Sequence, residues 1–136
     1  MQGDAFVDEV EEPDPILNWI TNLIIGACIE VHRHLGPGYL EAYYEEALAQ
    51  EFTLRGIRFI RQQSFDVTYK GKVIGSGRCD FVVEEKVVVE IKAIESFAPV
   101  HTAQVISYLR STGHKLGLLI NFNVRLLKDG IKRIAR

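Results

Sequence analysis

An α/β fold with a mixed central sheet between helices is predicted from three features of the chain. Apolar periodicity reads helix, helix, three strands, helix, strand and a terminal piece. The stretch Arg78–Lys92, RCDFVVEEKVVVEIK, holds two apolar runs too dense for a one-sided surface hairpin. A single helical segment then joins Lys92 to the next strand at Leu116, the length of a right-handed parallel crossover.

Asp14 followed by Pro15 is a helix start, an N-cap acceptor before the residue favoured at the first helical position. Ile16, Ile20, Leu23, Ile24, Ala27, Cys28, Val31 and Leu35 follow at spacings of three and four, up to Gly36. His32 and His34 lie two apart, so they point to different sides of that helix and cannot chelate one ion. A second helix is predicted from about Tyr39 to Arg55, with Leu40, Tyr43, Tyr44, Ala47, Leu48 and Phe52 inward and Gly56 as its C-cap. Glu41 sits in its first turn, where an acid ordinarily meets only the helix dipole.

From Ile57 the period changes to that of a strand, IRFIRQQSFDVTY, turned at KGK and resumed at Val73–Ile74 before Gly75 and Gly77. The segment AIESFAP reads as a loop, and Pro99 opens a third helix that Gly113 ends. Gln104 and Tyr108 lie four apart on one side of that helix. LGLLINF at Leu116–Phe122 is a buried strand, and the basic end closes as a short strand or helical turn.

With 136 residues, 47% hydrophobic and 25% charged, the chain suits one compact domain, taken here as residues 15–136 after a flexible acidic tail at 1–14. That tail holds six of the 18 acids and no base, so the formal charge of −2 conceals a body with 12 acids against 16 bases. Basic clusters at Arg55, Arg58 and Arg61, at Lys70 and Lys72, and from Arg125 to Arg136 suit a phosphate backbone. No apolar run is long enough for a bilayer, and the acidic N-terminus does not read as a signal peptide, so a cytoplasmic location is expected. Cys28 and Cys79 stand in apolar contexts without ligand neighbours and read as core residues.

If Glu84, Glu85 and Lys86 form a three-residue connection, Val83 faces Val87 and Asp80 comes opposite Glu90. Facing carboxylates, about 5 Å apart at Cβ, repel and weaken a sheet, and a hard divalent cation such as Mg²⁺ offsets the repulsion. Lys92 shares the face of Glu90, while Ile91 points the other way. A lone Glu-x-Lys is ordinarily a surface pair, but these charges interrupt an apolar run, and buried charges are paired or metal-bound.

In this arrangement the chain resembles the PD-(D/E)XK nuclease superfamily: Asp80 and Glu90-Ile91-Lys92 match its acid and its (D/E)xK strand. More narrowly, LGPGYLEAYYEEAL is similar to the signature of the small GxxExxY proteins, with Gly38, Glu41 and Tyr44 in register, and Gln104 and Tyr108 resemble the QxxxY element of RecB-like nucleases. The resemblance implies a restriction-endonuclease-like αβββαβ core and a Mg²⁺- or Mn²⁺-dependent nuclease acting on nucleic acid, with DNA as the expected substrate. It implies Asp80, Glu90, Glu41 and the Ile91 carbonyl as metal ligands, and Lys92 orienting water or stabilising the phosphate. Gln104 then positions Lys92 or substrate, and Tyr108 and Tyr44 contact substrate. The alternative is a domain of the same fold that binds nucleic acid or protein without cutting, and a third is that the charges form a structural ion-pair network. A homodimer is in keeping with so small a nuclease, though no stripe in the sequence marks its interface.

Overall fold

The structure, a computed structural model, describes residues 14–136; the predicted acidic tail, apart from Asp14, lies outside them. Asp14 caps helix α1 (Pro15–Leu35), its carboxylate accepting from the Ile16 and Leu17 N–H groups at 2.9 and 3.2 Å. Helix α2 (Glu41–Leu54) follows, then strands β1 (Phe59–Tyr69), β2 (Lys72–Val83) and β3 (Val87–Lys92). Helix α3 (Pro99–Thr112) leads to β4 (Leu116–Asn121), a 3₁₀ turn at Leu127–Gly130 and β5 (Ile131–Ala135), so the chain end holds both the strand and the turn.

The five strands form one sheet in the order β1-β2-β3-β4-β5, antiparallel throughout except for the parallel pair β3–β4 that α3 connects. The sheet carries apolar side chains on both faces. Phe81, Val83, Val87, Val89, Ile91, Leu118 and Ile120 pack under α1 and α2, and Val82, Val88 and Leu119 pack under Val105 and Leu109 of α3. Gly117 permits the close seat of α3, since a Cβ there would stand 2.8 Å from Val105 Cγ1. Among the described residues no helix is long and apolar enough to cross a membrane.

Three expectations change. Helix α2 begins at Glu41 rather than Tyr39, and Leu40 and Tyr43, read as inward, are exposed. Its buried stripe is Tyr44, Leu48 and Phe52 at four-residue spacing; Tyr43 lies about 100° round the helix from it, and Leu40 precedes the first turn. β2 runs unbroken through Gly75 and Gly77, because β1 pairs with it down to Lys72.

Candidate active site

The β2–β3 ladder pairs Val83 with Val87, Val82 with Val88 and Phe81 with Val89, and there it stops. The next facing residues are Asp80 and Glu90, where carboxylates take the place of the ladder carbonyls. The Asp80 N–H donates to Glu90 Oε1 at 2.7 Å, and the Ile91 N–H donates to Asp80 Oδ2 at 2.9 Å. Each acid thus grips the other strand's backbone. The side-chain alternation of β2 also slips here: Cys79 and Val82 pack beneath α3, while Phe81 and Val83 face α1 and α2.

The slip has a counterpart on β1. Between the pairs Arg61–Phe81 and Gln63–Cys79 stands Gln62, with φ of +52°, a left-handed conformation that costs a non-glycine residue about 1–2 kcal/mol. Its amide donates to Asp80 Oδ1 at 3.3 Å and to Glu45 Oε2 at 3.1 Å. Strain of this kind persists only where the surrounding structure over-determines the backbone, and it is common at functional sites. Glu45 is held in turn by Arg61, 3.1 Å away.

Burial dominates the electrostatics. Glu90 is 4% exposed and its carboxyl is pushed up to about 8, first by desolvation and then by Asp80. Asp80 is raised as well, mainly by burial, although the Ile91 N–H and the Gln62 amide favour its charged form. Glu41 is raised by burial and by Asp80, which brings the start of α2 into the same field. Lys92 opposes all three shifts, yet none of Glu41, Asp80, Glu90 and Lys92 belongs to an ion pair among the described residues. The Lys92 ammonium donates instead to Gln104 Oε1 at 3.2 Å.

Among the described residues, these four therefore form no structural ion-pair network. Taken as ionised, three carboxylates and one ammonium leave a local charge of −2, and the donors are all oxygen, a set that fits a hard divalent cation. Among the described residues no three acidic, histidine or cysteine side chains already form a cage for an ion. Asp80 and Glu90 supply two carboxylates, so other oxygens, from main chain, water or a shifted Glu41, have to complete the shell.

Tyr108 is half-buried against Phe65, ring centroids 5.1 Å apart, and its hydroxyl is raised to about 12 by burial and then by Glu90. Tyr44 corrects the expectation of a substrate contact. It is wholly buried, donates to the Gly36 carbonyl, accepts from the Tyr39 N–H at 3.2 Å and stacks on Phe122 at 4.7 Å. It locks the entry to α2, and so the position of Glu41, from inside the core.

Three supporting residues escaped the sequence reading. Gln62 was detectable by extending the register count across β1, and Glu45 by its spacing of four from Glu41. Asn121 carried no such signal. It is buried at the end of β4, accepts from the Ile94 N–H at 3.1 Å and donates to the Ile94 carbonyl at 2.9 Å, fastening the chain just after Lys92.

A family profile for the PD-(D/E)XK nuclease superfamily matches residues 18–134. Among solved structures, the crystal structure of an alkaline exonuclease from Laribacter hongkongensis is similar in fold, with a TM-score of 0.50 at 17% identity over 93% of this chain and 72% of that one. No curated protein matches.

Proposed function

The chain belongs to the PD-(D/E)XK nuclease superfamily, and from that membership we propose that it is a divalent-metal-dependent nuclease hydrolysing phosphodiester bonds of DNA. Within the superfamily we place it with the small GxxExxY proteins on Gly38, Glu41 and Tyr44. One observation carries the reading: facing carboxylates that, among the described residues, belong to no ion pair, beside a lysine that donates to Gln104, where the β2–β3 ladder ends.

Asp80 and Glu90, with the Ile91 carbonyl, are the proposed ligands of Mg²⁺ or Mn²⁺, and Glu41 binds directly or through water. The ion would supply Lewis-acid polarisation of the phosphate and neutralisation of the acids. Gln104 occupies one of the three Lys92 protons and leaves two for a water molecule or a phosphate oxygen, so Lys92 stabilises charge that grows on the phosphate. Tyr108, at the rim, contacts a phosphate or stacks on a base.

The test is a cleavage panel of single-stranded, duplex and branched DNA and of RNA, each with Mg²⁺ and with Mn²⁺, alongside calorimetry of the metal-free protein with each ion. Metal-dependent scission of DNA supports the proposal. Tight DNA binding without scission under any metal returns the chain to the non-catalytic alternative, and cleavage confined to RNA corrects the substrate.

A further inference from the structure

Strands β1 and β2 pair from Phe59–Val83 out to Tyr69–Lys72, but β2 meets β3 only from Phe81 to Val83. Beyond the acids the two strands leave β3; Phe65 still packs on Tyr108 of α3, and past it the pair runs out as a two-stranded ribbon in which every residue from 68 to 76 is exposed. An isolated ribbon is marginally stable in water. This one nevertheless presents Tyr69, Val73 and Ile74 to solvent, 60%, 53% and 61% exposed.

Its charge is mostly positive. From 65 to 79 the chain holds Lys70, Lys72 and Arg78 against the single acid Asp66, and none of the three cations has a carboxylate partner among the described residues. The tip is also conformationally expensive. Lys70 and Gly71 have φ of +48° and +85°, as a type I′ turn requires, and asparagine suits the first of these positions better than lysine. A lysine kept in a left-handed turn, over the ring of Tyr69 at 5.4 Å, places a cation at the farthest point of the ribbon.

We infer that the ribbon at 66–78 is an arm that lies in the major groove of a duplex substrate, with Lys70 and Lys72 on its phosphates. The inference rests on the nuclease reading and names the form of substrate it takes. A major groove about 12 Å wide admits a two-stranded β-ribbon. Eight residues separate Lys72 from Asp80, about 26 Å at the strand rise, so the lysines meet the duplex roughly seven or eight base pairs from the scissile bond. Single strands bind through aromatic platforms, and this ribbon has only Tyr69 to offer.

The experiment measures binding of the full chain, without divalent metal, to duplexes of increasing length and to single strands of equal length, over a range of salt. Affinity of the parent should climb until the duplex spans the arm and then level. The double variant Lys70→Ala/Lys72→Ala should lose that climb, bind long duplexes at least tenfold more weakly, and show a salt slope smaller by about two, roughly 0.9 for each phosphate that a lysine no longer neutralises. Lys70→Asn should keep or raise the melting temperature and still show about half of the slope change, which separates the cation from the fold.

Parent affinity and slope in both variants at every duplex length would overturn the arm while leaving the nuclease reading intact. A parent that sediments as a dimer, with monomeric tip variants, would overturn it in favour of a second copy of the chain. A parent that neither binds nor cuts any nucleic acid would overturn the nuclease reading, and the arm with it.

Discussion

The two ends of the β2–β3 hairpin treat their acids in opposite ways. At the turn, Glu84 accepts from the Arg58 N–H at 3.1 Å and from its guanidinium at 2.9 Å, and its own N–H donates to the Arg58 carbonyl at 2.9 Å. At the open end, Asp80 and Glu90 receive backbone N–H groups and a glutamine, and no cation reaches ion-pair distance among the described residues. Within one hairpin, then, the acid that serves the fold is neutralised in place, and the acids that face each other are left for something else to neutralise. Buried charge without a partner is destabilising, and a divalent ion at the open end, as proposed above, would offset that cost.

The sharpest way to break the contrast is to remove the open-end charge. Asp80→Asn or Glu90→Gln should take cleavage to background and abolish metal binding, while raising the Tm of the metal-free protein, by several degrees in Glu90→Gln, whose neutral amide can still accept the Asp80 N–H, and by less in Asp80→Asn, which keeps the Ile91 N–H but loses the Gln62 hydrogen bond. Lower Tm in both variants, measured by scanning calorimetry, would make these acids structural like Glu84. Next comes Lys92→Ala, which should leave metal affinity unchanged or slightly improved and slow cleavage by about a hundredfold or more; Lys92→Arg should rescue little.

The pH dependence sharpens the comparison at a smaller scale. The Glu90 carboxyl is raised from 4.5 to about 8, and Asp80 moves in the same direction, so their favourable contribution is complete below the ordinary carboxyl range. It is lost as pH rises through about 8. Metal-free Tm should therefore decline between those limits, less steeply in Glu90→Gln, and metal affinity should climb over the same interval as protons cease to compete. A flat profile in the parent would mean that the acids are already neutralised. The smallest effect belongs to Glu84→Gln: a slight fall in Tm with unaltered cleavage, since its arginine is largely exposed.

The sheet was legible because its strands announce themselves. Phe81–Val83 and Val87–Val89 are apolar on both faces, and a three-residue turn fixes their register, so Asp80 and Glu90 can be set opposite each other by counting. Counting carries only as far as regular pairing does. It could not show that the ladder ends at Phe81–Val89 and that the carboxylates bond to backbone, nor that Gln62 adopts a left-handed conformation to reach Asp80. Helix α2 misled for another reason: Tyr43 and Tyr44 are equally aromatic, and which of them faces Phe122 depends on the azimuth at which the helix lands on the sheet. Asn121 was invisible because its partner, Ile94, lies in a loop whose path no periodicity encodes.

Gly117 acts as a gauge for the chemistry from a place no substrate can touch. A methyl group there would press on Val105 Cγ1, so the Val105 side chain or α3 with it would have to shift, and Gln104 is the next residue along that helix. The acceptor that aims the Lys92 ammonium would drift although every charged group at the site was unchanged. Under the proposed function, the clearance between a helix and the back of a strand would thus set the alignment of the lysine, and errors in that clearance would appear as slow turnover in a protein that still folds and still binds.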